Sequence, residues 1–117
     1  MEAHRGTPAE QLTEVRAGID RLDREIVGLL ARREEFVRRA GTLKADTDAV
    51  RAPDRVEQVI RTVRALATES TADPDVVEAT YRAMIGAFID LELRVHHRDQ
   101  AVARTPPRPG AGKSASE

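Results

Sequence analysis

The stretch LTEVRAGIDRLDREIVGLLARREEFVRRAGTLK, residues 12–44, decides the fold. Its apolar residues recur as Leu12, Val15, Ile19, Leu22, Ile26, Leu29, Phe36, Ala40 and Leu43. That alternating spacing of three and four is the mark of a helix that packs one stripe against other helices. Arg33 fills the stripe position between Leu29 and Phe36, and Lys44 follows eleven residues later. Eleven residues make almost three whole turns, so Lys44 projects from nearly the same face about 16 Å further along. A buried charge is costly unless something of opposite sign meets it. The stripe therefore predicts a slot for an anion. Arg16 is a third cation on the stripe, but it lies 17 residues before Arg33, about 25 Å along the axis. One helix cannot bring both to one small ligand; an antiparallel second copy could supply Arg16 to the first copy's Arg33 and Lys44.

Working outward, Thr7-Pro8-Ala9-Glu10 is a capping box with proline at the first helical position, a strong start signal. No proline intervenes between Pro8 and Pro53, and single glycines are tolerated in a helix at about 1 kcal/mol each. The first helix is predicted to run to Lys44 or Ala45, roughly 55 Å. A compact chain of this size has a radius of gyration near 13 Å, so such a helix needs a partner for its stripe, most simply a second copy. Residues 46–52 read as a polar connection, and Pro53-Asp54 opens a second helix with apolar positions Val56, Val59, Ile60, Val63 and Leu66. After a polar linker over 68–72, Asp73-Pro74 repeats the cap-then-proline signal and starts a third helix. Its seam is Val77, Tyr81, Met84 or Ile85, Phe88, Glu92 and Val95, with Glu92 a second kind of charge in an apolar register. The periodicity ends near Arg98, and the Pro, Gly and Ser residues that follow have the composition of a disordered tail. The expected organisation is a flexible leader over 1–6, a helical domain over 7–99 and a disordered tail over 100–117.

Bulk properties restrict the chemistry. The 117 residues suit one domain, and 19 basic against 20 acidic residues give a formal charge of −1, so no global field points to nucleic acid or to an anionic membrane. The absence of cysteine excludes disulfides, thiolate metal sites and a cysteine nucleophile. Three aromatic residues, Phe36, Tyr81 and Phe88, are too few for a base-stacking platform. No apolar run approaches the roughly 18 residues of a membrane span, and Met1 to Gly6 lack the apolar core of a signal peptide, so a cytoplasmic protein is expected. His96 and His97 are adjacent, hence on different helix faces, and are assigned no site. Arg55, in the first turn of the second helix, is a candidate fourth cation, and Glu92 is either its kind of ion-pair partner or a ligand-facing acid. There is no phosphate loop, zinc spacing or nucleophile–base set. An anion pocket of this kind binds, or catalyses a reaction whose barrier yields to restraint and electrostatic stabilisation.

Val15 through Asp23, Leu29-Leu30-Ala31-Arg32-Arg33, Lys44, Pro53-Asp54-Arg55-Val56 and Met84-Ile85 through Glu92 together resemble the all-helical chorismate mutase family over about residues 10–98. The resemblance implies an all-α fold: a three-helix protomer with one very long N-terminal helix, in an intertwined homodimer with two active sites built from both chains. It implies a small dicarboxylate substrate and no cofactor or metal. Chorismate would be held in a chair while its enolpyruvyl group migrates to give prephenate, without a covalent intermediate. Arg16 from the partner chain and Arg33 would hold the two carboxylates, which suits the guanidinium fork. Lys44 and Glu92 would donate to the ether oxygen, with Arg55 and Phe88 completing the substrate-binding set. Lys44, Glu92 and Arg33 are thus the expected catalytic residues.

Three departures accompany the resemblance. Most bacterial relatives carry Gln where this chain has Glu92, which donates only when protonated, although some fungal relatives also use Glu. Val56 stands where simple mutases place an acid that contacts the ring hydroxyl. The short connection from Lys44 to Arg55 looks more like the isochorismate pyruvate-lyase branch that makes salicylate, while Glu92 resembles the branch that rearranges 4-amino-4-deoxychorismate. The expected function is chorismate mutase; these two branches, and a non-catalytic helical dimerisation or regulatory module, remain the alternatives.

Overall fold

A computed structural model describes residues 6–104, and among them every regular element is helical: α1 (Pro8–Leu43), α2 (Thr47–Arg51), α3 (Pro53–Glu69) and α4 (Pro74–Arg104). The expected all-α class and its three long helices are present. The expected leader, apart from Gly6, and most of the expected tail lie outside the described residues. Two units divide the chain, one ending at Phe36 and the other beginning at Val37.

The start signals act as their chemistry dictates. At the head of α1 the Thr7 N–H donates to Glu10 Oε1 (2.8 Å) and the Glu10 N–H to Thr7 Oγ1 (3.0 Å), a reciprocal capping box. At the head of α4, Asp73 Oδ1 accepts from the Asp75 N–H at 2.8 Å and the Val76 N–H at 3.4 Å. The connection over 46–52 is more ordered than its polarity predicts. Asp46 Oδ1 accepts from the Ala49 N–H at 2.8 Å, nucleating the short α2, and Val50 is buried against the rest of the second unit. Ala52 then takes a left-handed φ of 33° between α2 and α3, a conformation L-residues rarely adopt, which lets Pro53 begin the next helix at once. Helix α4 runs to Arg104 rather than stopping near Arg98, because no proline follows Pro74 until Pro106 and only Gly86 interrupts the good helix formers.

Within the first unit the stripe of α1 is bare. Leu12, Val15, Ile19, Leu22, Ile26, Leu29 and Phe36 are 47 to 70% exposed, whereas singly scattered apolar residues are the norm on a finished surface.

In the second unit the core is Val50, Ile60, Val63, Ala67 and Ile85, contributed by α2, α3 and α4. Ion pairs set the register of α3 on α4. Arg64 Nη1 reaches Asp75 Oδ1 (3.0 Å) and Glu78 Oε1 (2.8 Å) beside the turn. Farther from the turn, the Arg82 fork meets both Glu57 oxygens at 2.9 Å, and its Nε donates to Glu78 Oε2 at 2.7 Å. The two helices are therefore antiparallel. Hydrogen bonds from Arg82 hold the carboxyls of Glu57 and Glu78 below the ordinary glutamate value of 4.5, and Arg64 adds to the effect at Glu78. Lowered carboxyl values stabilise the fold above that ordinary value, and the contribution is lost as pH falls through and below it. Glu57 is exposed and Glu78 half-buried beside solvent, so the effect is small and weakened by salt. We expect Arg82→Met to lower the melting temperature slightly at neutral pH and to converge with the parent protein toward pH 3, so that its pH profile is flatter; thermal denaturation between pH 7 and pH 3 at low salt checks this.

Candidate active site

Helix α1 delivers its last turn, and Lys44 just beyond it, to the second unit. Its final main-chain bond runs from the Lys44 N–H to the Ala40 carbonyl at 3.1 Å, after which the chain turns into the Asp46 cap of α2. Glu92 arrives on α4, one turn after the half-buried Phe88 and on the same face. The two side chains meet: Lys44 Nζ lies 2.6 Å from Glu92 Oε2. Glu92 is only 6% exposed, while the Lys44 side chain keeps contact with solvent. Despite the short distance, Oε2 has no hydrogen-bond partner of acceptable angle, so the contact is Coulombic more than directional. A buried carboxylate is thus compensated by a cation that solvent, and hence a ligand, can also approach.

Gly41 makes this meeting possible. It is buried, and a Cβ placed on it would stand 3.1 Å from both Cγ and the carbonyl oxygen of Glu92 and 3.3 Å from Cγ1 of Val95. Sequence reasoning treats Gly41 as a tolerated weakness in a helix. The structure gives it a positive reason, the close approach of α1 and α4 beside the acid.

His96 is the residue that sequence reasoning missed. It is 4% exposed, and its Nδ1 lies 3.1 Å from the Gly41 carbonyl oxygen. A carbonyl only accepts, so Nδ1 carries the hydrogen. His97 is exposed on the other face, as adjacency requires. The signal available in sequence was spacing: Phe88, Glu92 and His96 recur at four-residue intervals on one face.

Of the other expected residues, Arg55 is exposed in the first turn of α3, where its Nη1 donates to Gln58 Oε1 at 2.9 Å. Val56, next to it, is half-buried. Arg16 and Arg33 belong to the first unit, Arg16 exposed and Arg33 half-buried on α1. The structure therefore brings Lys44 and Glu92 together, from positions 48 residues apart in sequence. Among the described residues no group of three His, Cys, Asp or Glu side chains is placed to hold a metal ion, and no helix is long and apolar enough to cross a membrane.

The solvent-accessible ammonium of Lys44 can stabilise negative charge growing on a ligand oxygen, and the carboxyl of Glu92 beside it can donate to that oxygen only when protonated. The family model "Chorismate mutase type II" matches residues 15–93, which include both members of the pair. An isochorismate pyruvate lyase from Pseudomonas aeruginosa is 30% identical over 92 residues, covering 79% of this chain and 91% of the lyase. A bifunctional chorismate mutase/prephenate dehydratase from Aquifex aeolicus is 31% identical over 90 residues, which make up 74% of this chain but 25% of that longer protein. With the family model spanning most of the helical region and the lyase matched nearly end to end, the chain belongs to the type II chorismate mutase family.

Proposed function

We propose that this chain is a chorismate mutase-type isomerase, converting chorismate to prephenate, and that Lys44 and Glu92 act on the ether oxygen of the substrate. The observation that carries the reading is the buried Glu92 carboxyl 2.6 Å from Lys44 Nζ in a chain of this family. In the rearrangement one C–O bond breaks as one C–C bond forms within the same molecule. Negative charge grows on the ether oxygen on the way. A fixed cation at that oxygen interacts more strongly with the transition state than with the ground state, and that difference is what lowers a barrier. Lys44 supplies the charge. Glu92 supplies a hydrogen bond only when protonated, and ionised it would both neutralise Lys44 and repel a dicarboxylate.

Glu92→Gln, which offers an N–H donor, is accordingly expected to retain activity, whereas Glu92→Ala is expected to lower kcat about 100-fold; steady-state kinetics on both variants check this, and an alanine variant as active as the wild type would refute the role of the acid.

Arg16 of a second copy, with Arg33, holds the two carboxylates on this reading, and Arg55 and Phe88 complete the substrate contacts. Support for a second copy comes from the bare stripe of α1, whose seven apolar side chains repeat at the spacing of a helix–helix seam. The homodimer and a cytoplasmic setting belong to the proposal.

A second reading, pyruvate elimination from isochorismate, is favoured by the Pseudomonas aeruginosa relative, of which the chain covers 91%. Val56, in place of an acid, leaves the ring substituent as the discriminating feature. Incubation of the purified protein with chorismate, isochorismate and 4-amino-4-deoxychorismate, followed by proton NMR, separates the readings. Rearrangement leaves one product of unchanged mass, whereas elimination releases pyruvate. Pyruvate from isochorismate without conversion of chorismate would replace the first reading by the second.

A further inference from the structure

We propose that His96 is a positioning residue for the Lys44–Glu92 pair, capping the C-terminus of α1 from α4. The inference rests on the site assignment above and adds a residue to it. The last four carbonyls of a helix have no partner within the helix. In α1 the first of them, on Ala40, is taken by the Lys44 N–H. The next, on Gly41, has the Nδ1 of His96 at 3.1 Å. Both residues are buried, so water is poorly placed to replace a lost donor, and an unpartnered buried carbonyl carries a real cost.

The location of the cap gives it a further consequence. His96 follows Glu92 by one turn on the same face of α4, and Lys44 follows Gly41 by three residues. Gly41 thus touches α4 twice: its carbonyl oxygen meets His96, and its Cα side faces Cγ and the main chain of Glu92 so closely that a Cβ would stand 3.1 Å away. The hydrogen bond fixes how far the end of α1 stands from α4. That spacing determines where Lys44 Nζ meets Glu92 Oε2. His96 touches neither the pair nor a substrate in this role; it acts through the main chain of Gly41.

Three substitutions test this. Asparagine places an N–H donor near the position of Nδ1, leucine has nearly the same shape without the donor, and glutamine carries its donor further out, near the position of Nε2. His96→Leu and His96→Gln are expected to lower kcat about 10- to 100-fold with KM within about twofold, the pattern of misplaced reacting groups with binding kept. His96→Asn is expected to retain most of kcat. Should the leucine variant fail to fold, the comparison of glutamine with asparagine carries the test. Equal kcat values for the variants with and without the donor would overturn the inference, as would a loss confined to KM. Crystal structures of the substrate-free variants provide a readout independent of substrate. The Lys44–Glu92 contact should open in the glutamine variant and persist in the asparagine variant, and an unchanged contact in both would overturn the cap. A wild-type protein that turns over none of the three substrates would sink the proposed function, while the crystallographic comparison would still decide the cap.

Discussion

Replacing Lys44 by alanine is expected to lower kcat by about 10²- to 10³-fold, the usual cost of removing one charge-stabilising donor at a reacting oxygen. KM should change far less, because the carboxylates of the substrate are assigned to arginines. Steady-state kinetics on the substrate that the wild type converts best reads both. The substitution also strips the buried Glu92 of the cation 2.6 Å away, and a buried carboxylate without a partner destabilises the fold. A lower melting temperature is therefore expected in Lys44→Ala and a recovery of it in Lys44→Ala/Glu92→Gln, in which no charge is left uncompensated. Activity should stay low in the double variant. A double variant that regained turnover would show that Lys44 serves stability alone.

The second large effect is complementation between chains. Arg16→Ala and Arg33→Ala homodimers should each be nearly inactive, since every site in either lacks one carboxylate anchor. In a heterodimer one site combines both losses and the other has neither. Random exchange makes half of the dimers mixed, so roughly a quarter of wild-type activity should return on mixing. Subunit exchange under mild denaturant, assayed after refolding, measures it. No recovery, from partners shown to exchange, would place Arg16 and Arg33 in the same chain's site or in none.

The sequence determined the helices and where most of them begin. The Thr7–Glu10 box and the Asp73–Pro74 cap form as written because their hydrogen bonds are local, reaching only two or three residues along the chain. The stripe from Leu12 to Phe36 and the two seam charges, Lys44 and Glu92, were legible for a similar reason. Helical periodicity is a property of neighbouring turns, and a charge in an apolar register stands out against it.

Only the tertiary structure decided what meets what. No spacing rule links Lys44 to Glu92 across two intervening helices; α2 and α3 have to fold back before the end of α1 lies against α4. Gly41 looked like a modest helix defect in sequence because the price of a glycine is local, whereas its use, a Cβ-free surface against Glu92, exists once two helices pack. His96 was silent for the same reason. A histidine is a surface residue, a ligand or a cap according to the phase of its helix and the partner that phase presents, and here the partner is a main-chain carbonyl 55 residues earlier in the chain. Local hydrogen bonding and periodicity wrote the helices into the sequence, and the long-range closure of the second unit turned two charges, a glycine and a histidine into one site.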